Sequence, residues 1–300
     1  MITTLSAMQL SRIKRWIIGL LVAVLVPALS GCSALRLGYA NGPHLAWWWI
    51  DGYFDLSREQ APQVKQALDN WFDWHRSSQL PDYVALLASV RQQVLEPTTP
   101  ALVCRWQDRV RLQLEPALAR ATADFADIVP GLGDAQFKHL EQKYAKLIDE
   151  LRADFLQADA AARQRESLKR AVGRAERVYG SLDDAQLRVI VAGVAASPFN
   201  PELWLAERLR RQRDTLQVLR RLVAERSERD QRIAALRALA QRTERSPNPE
   251  YRAYQLKLAD HNCALAAQIH NAATPAQRQK ARDNLKGWAD DLKAVLAPAG

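Results

Sequence analysis

Helix starts are written into this sequence more plainly than any other feature. Thr99-Pro100, Asn200-Pro201, Asn248-Pro249 and Thr274-Pro275 each offer a side-chain acceptor followed by proline. That order suits an N-cap and a first helical position, where the missing proline N–H costs nothing. Ser57-Arg58-Glu59-Gln60 and Thr274-Pro275-Ala276-Gln277 have the spacing of a capping box, and Gly133 to Gln136 and Asp183 to Gln186 repeat it. Leu132 with Phe137 and Leu182 with Leu187 are placed as hydrophobic staples around the latter two. Apolar stripes of helical period follow, including Tyr83–Leu86–Leu87–Val90–Val94 and a long one from Val103 through Trp106, Val110, Leu114 and Ala117 to Ile128. No alternating run with hairpin signals interrupts them. The fold class predicted is all-α, a bundle of about seven to nine helices.

Several breaks organise that bundle. Glu225 to Arg232 holds no apolar residue, and a new helix capped by the frame Ser227-Glu228-Arg229-Asp230 is favoured there over one continuous helix. Ser197-Pro198-Phe199-Asn200-Pro201 is the clearest connector and Ser246-Pro247-Asn248-Pro249 the next. Residues 157–177, rich in Ala and Arg, read as a helix reaching into solvent or bridging subdomains. The body is expected over 47–297 as a single all-helical domain, with two subdomains joined near 197–201 as the alternative.

The start of the chain carries an address. Arg12, Lys14 and Arg15 precede an apolar run from Trp16 to Leu29, an order characteristic of a cleaved secretory signal and too short to span a bilayer comfortably. Leu29-Ser30-Gly31-Cys32 resembles the lipobox of bacterial lipoproteins. The resemblance implies a signal peptide over 1–31, Cys32 as the lipidated (diacylated, palmitate-type) first residue, and a short tether over 32–46. Ser33, where an aspartate would retain such proteins in the inner membrane, implies the outer membrane, with the body facing the periplasm.

Charge and cysteines fit export. The formal charge of +9 falls to +6 once residues 1–31, with their three cations and no acid, are removed. Arginines crowd the span from Glu207 to Arg245 and are read as a solvated helix face, with anionic headgroups a minor target and nucleic acid excluded by the compartment. Cys104 and Cys263 remain as a pair. A disulfide is the economical reading in an oxidising compartment, and two separate buried thiols are the alternative.

The segment Trp47-Trp48-Trp49-Ile50-Asp51-Gly52-Tyr53-Phe54-Asp55 is the candidate contact surface. Successive helical side chains are about 100° apart, so three consecutive tryptophans cannot share one core. Trp47, Trp48, Trp49, Asp51, Tyr53, Trp74 and His75 are taken as candidate partner-binding residues, against an aromatic core as the other reading. A catalytic role for Asp73 and His75 is disfavoured because residues two apart on a helix face different ways, and a Trp N–H bonded to one of these carboxylates is the ordinary expectation. His261, Cys263 and His270 lack the further ligands a metal needs. HExxH, GxSxG and phosphate-cradling loops are missing. No enzyme activity, cofactor or metal is expected.

The lipobox, the run from Trp48 to Gln60, Trp74-His75-Arg76 with Leu80-Pro81 and Tyr83, and His270-Asn271 with Thr274 to Gln277 together resemble a family of proteobacterial lipoproteins carrying only a domain-of-unknown-function label. The repeated Leu/Thr-x-x-Gln starts also resemble those of periplasmic Spy-like chaperones. The expectation is a non-enzymatic binding or scaffold module in envelope maintenance, held to the membrane by its lipid, with an envelope protein or lipid as partner. A Spy-like holdase chaperone, or an envelope hydrolase, is the alternative.

Overall fold

The computed structural model describes residues 34–296; Cys32 and the lipobox reading lie outside the described residues. Twelve α-helices and one short 3-10 turn make up the described chain, and no strand occurs among the described residues. They are α1 (Ala34–Ala40), α2 (Gly42–Phe54), α3 (Ala61–Ser78), α4 (Leu80–Gln93), α5 (Pro100–Ile128), α6 (Asp134–Phe155), α7 (Ala160–Tyr179), α8 (Asp184–Ala195), α9 (Pro201–Ala224), α10 (Arg229–Glu244), α11 (Pro249–Ala272) and α12 (Pro275–Leu296). The fold is all-α as predicted, but with more helices than the expected seven to nine. The residues before Trp47 are helical rather than a tether, which adds α1 and the start of α2.

The predicted caps form. Thr99 Oγ1 accepts from Leu102 N at 3.2 Å, Asn200 Oδ1 from Leu203 N at 2.8 Å, and Asn248 Oδ1 from Glu250 N at 2.9 Å. Gln277 returns a bond to Thr274 N at 2.9 Å, and Asp183 and Gln186 cap each other reciprocally at 2.9 and 3.0 Å. The favoured break after Glu225 is real. Arg226 takes a left-handed φ of 48°, and its neighbour Ser227 donates back to Leu222 O, so α9 stops and α10 starts afresh.

Two halves of the chain repeat one plan. In the first, α2 leads into the Gln60 turn and α3 follows, while α5 leads into the Gln136 turn and α6 follows. In the second, α7 and α8 flank Gln186 as α11 and α12 flank Gln277. The packing repeats with the order: α2 lies on α3 and α6, and α3 on α5; α7 lies on α8 and α12, and α8 on α11. The halves interlock, since α4 runs along α12 and α5 packs on both α10 and α11. Cys104 of α5 and Cys263 of α11 are bonded, with Cα atoms 5.5 Å apart, which ties the helices the prolines begin. The largest buried cluster joins the α5–α6 corner (Val129, Leu132, Phe137, Leu140) to α9 and α10 through Leu219, Leu222 and Leu236.

Three expectations need correcting. The arginine- and alanine-rich helix does not reach into solvent: Ala171 and Ala175 of α7 are buried, because small side chains let it approach α8 and α12 closely. Within the long stripe on α5, Ala117 is buried but Val110 and Leu114 are exposed. Nor is the arginine-rich span wholly a solvated face. Glu207 is buried and accepts from Arg210 and Arg211 at 2.9 Å and from the buried Ser246 hydroxyl at 3.1 Å. Arg242 of α10 forks onto Asp214 of α9 at 3.0 Å through both Nε and Nη2. A charge on a helix is pulled inward where a partner on the next helix satisfies it.

Candidate functional site: the aromatic face of α2

Helix α2 begins at Gly42, which sits against the ring of Phe72; a Cβ there would lie 2.3 Å from it. That close approach fixes α2 on α3 and decides which of its sides faces out. Leu45, Trp48 and Trp49 fall on the outer stripe and are 51%, 73% and 59% exposed. Trp47, on the opposite side, is half-buried under the Lys65 ammonium, 4.7 Å from its ring. The Trp49 and Tyr53 rings lie 4.7 Å apart, tilted at 44°, and Tyr53 meets Tyr144 of α6 edge-on. Between α2 and α6 lies a cavity of 330 Å³, lined by Trp48, Trp49, Asp51, Tyr53, Lys143 and Lys146 among others. The Lys143 ammonium lies 5.5 Å from the Tyr53 ring. Asp51 accepts from Leu56 N at 3.1 Å and so closes the C-terminal end of α2.

The other candidates sit elsewhere. His75 is buried, stacked on Trp71 at 4.6 Å, with Nδ1 2.9 Å from the Tyr39 hydroxyl. It is therefore a core residue and not part of an accessible docking face. Sequence reasoning missed Tyr39 because it lies in the segment taken for a tether. Trp74 is half-buried beneath the Arg120 guanidinium at 5.0 Å. Asp73 is exposed, so it and His75 do not converge. Trp71 Nε1 donates to the Ala117 carbonyl at 3.1 Å and not to a carboxylate as expected. Burial lowers the pKa of His75 and pushes the Tyr39 phenol up to about 12, keeping both neutral.

The second histidine set separates likewise. His270 accepts a bond from the Tyr179 hydroxyl at Nδ1, 2.8 Å, while Nε2 donates to Glu96 O at 2.8 Å. His261 bonds Gly193 O at 2.9 Å. No cluster of three or more potential metal ligands occurs among the described residues.

At the two inner corners of the repeated plan the capping glutamines do more than cap. Gln60 Nε2 donates to Gly131 O at 2.6 Å, and Gln136 Nε2 donates to Gln60 Oε1 at 2.9 Å. In the second half Gln186 Nε2 reaches Ala272 O at 3.0 Å and Gln277 Nε2 reaches Ser181 O at 2.7 Å, the two amides also bonding each other at 2.5 and 3.0 Å. Each oxygen caps its own helix while each nitrogen crosses to the facing turn. The spacing made the caps legible; nothing local signalled the pairing.

A family described as a family of unknown function (DUF6279) matches residues 52–252. No curated protein matches, and no solved structure matches.

Proposed function

The chain belongs to that family of unknown function, DUF6279, and on this premise we propose that it is an outer-membrane lipoprotein, anchored at Cys32 and facing the periplasm, that acts as a non-enzymatic binding or scaffold module in envelope maintenance. The outer stripe of α2 is the docking surface. The observation that carries this is the exposure of Trp48 and Trp49 side by side, at 73% and 59%. Large aromatics left in water on a folded helix mark contact surfaces, since burying each against a partner is favourable by a few kcal/mol. Lys143 and Lys146 with Asp51 and Glu150 give the stripe a margin of mixed charge, so its apolar face rather than a net charge carries the contact.

A photo-reactive residue at Leu45, in the native envelope, tests the surface. The Trp48→Ala/Trp49→Ala variant is expected to lose the crosslinked product at unchanged helicity; an undiminished product removes the reading. Mass analysis of the mature N-terminus tests the address separately: a free thiol on Cys32 refutes the anchor. The paired capping-glutamine corners, Gln60 with Gln136 and Gln186 with Gln277, favour the Spy-like holdase as the second reading. Suppression of a client's aggregation at near-stoichiometric amounts is its signature, and an inert result excludes it.

A further inference from the structure

A cavity of 740 Å³ opens between the C-terminal end of α6, α7, α8, α11 and the connector at 197–201. Its volume lies in the range of small-molecule sites. The walls divide by chemistry. Phe155, Phe199, Leu258 and Leu265 supply an apolar floor, and Phe155 is packed against Phe199 and Trp204 at 6.1 and 5.0 Å, so that this floor is held rigidly. Arg163, Arg170 and Arg174, one helical turn or two apart on α7, line one side.

Those three cations have no acidic counterpart. No carboxylate lines the cavity, and none of the three takes part in a salt bridge among the described residues. Arg163 is turned onto the Gln157 carbonyl. Arg170 lies over the Phe155 ring at 4.5 Å and donates to Ser167 Oγ at 3.2 Å. Arg174 is exposed. Elsewhere in this chain arginines at comparable depth find carboxylates, as Arg210 and Arg242 do on Glu207 and Asp214. Guanidinium groups fork onto carboxylate or phosphate oxygens, and an apolar floor beside them shelters hydrocarbon.

We infer that this cavity binds a single-chain anionic amphiphile, its acid group on the arginines of α7 and its acyl chain along Phe155, Phe199 and Leu258. The shared chemistry is one acyl chain on an anionic head, from either a free fatty acid or a lysophospholipid.

The test uses the complete exported chain with Cys32→Ser, so that its own lipid does not compete, and cis-parinarate as fluorescent fatty acid. Saturable binding of one equivalent is expected. Displacement by palmitate or by lysophosphatidylglycerol supports the site, and whichever acts at lower concentration names the source; displacement by neither overturns it. Methyl palmitate, which keeps the chain and loses the charge, is expected to compete about tenfold less well; equal competition overturns the cationic half of the site. Arg174→Gln touches no packing and is expected to weaken binding about tenfold at an unchanged melting temperature. Leu258→Trp fills the floor and is expected to exclude parinarate while leaving helicity intact. Unchanged affinity in both variants refutes the assignment.

Discussion

Truncating one member of a glutamine pair is the sharpest perturbation this fold offers. In Gln186→Ala the chain loses two bonds donated by Nε2, to Ala272 O and Gln277 Oε1, and two accepted by Oε1, from Asp183 N and Gln277 Nε2. Gln277→Ala loses the same two shared bonds together with those to Ser181 O and from Thr274 N. At about 1 kcal/mol net per bond, each single variant is expected to lose about 4 kcal/mol. Because two bonds are common to both, the double variant is expected to lose about 6 rather than 8 kcal/mol, a coupling of about 2 kcal/mol. Urea unfolding followed by circular dichroism, with the disulfide intact, measures all three. The Gln60–Gln136 pair is an internal control. Gln186 is buried whereas Gln60 and Gln136 are only half-buried, so water replaces more of what the Gln60–Gln136 pair loses and the cost there is expected to be smaller. Additivity within about 0.5 kcal/mol at Gln186 and Gln277 would refute the reciprocal clasp.

Two further outcomes follow from buried charge and buried imidazole. Burial by itself would raise the Glu207 carboxyl, but the bonds from Arg210, Arg211 and Ser246 outweigh it and hold its pKa below 4.5, so that its stabilisation is full above 4.5 and lost as the pH falls through the lower folded value. Glu207→Ala leaves two half-buried guanidinium groups and a buried hydroxyl unanswered, and thermal unfolding is expected to show a loss of about 3 kcal/mol, whereas a change under 1 kcal/mol would show that water satisfies them. His75 and His270 are both held below 6.5 by burial, so the unfolded chain takes up protons that the folded chain refuses. Stability is therefore expected to be full above 6.5 and to fall as the pH drops through 6.5 towards the folded values; imidazole resonances of the folded protein that titrate at 6.5 would contradict this.

What the sequence made legible was whatever acts over one turn of chain. The caps at Thr99, Asn200, Asn248 and Asp183 and the restart after Glu225 depend on spacing, a property of the sequence itself; the Cys104–Cys263 bond, across 159 positions, was legible only because two cysteines remain once Cys32 is set aside. Exposure of at least one of three consecutive tryptophans followed from helical geometry alone. Contacts between helices were hidden. His75 looked available for docking until Tyr39 and Trp71 enclosed it, and Arg242 looked solvated until Asp214 of another helix met it. A charge or a histidine carries no mark of which neighbour will arrive, and the pairing of Gln186 with Gln277 spans ninety-one positions.

The repeated plan explains why the two candidate surfaces differ although their scaffolds match. In it α2 and α7 occupy equivalent places, each leading into a glutamine corner and each lying on the helix that follows its pair's second corner. Over that equivalent stretch α2 carries Trp47, Trp48 and Trp49, whereas α7 carries Arg163, Arg170 and Arg174. One corner geometry therefore presents an aromatic stripe in the first half and a cationic wall beside an apolar floor in the second. The glutamine clasps hold both helices at their ends, so their outer side chains are free to diverge without cost to the core. Changes at Trp48 or at Arg174 should accordingly alter what each half binds while the melting temperature stays put, and changes at Gln186 should do the reverse. A stability loss at Trp48 or Arg174 as large as that at Gln186 would mean that these side chains belong to the scaffold after all.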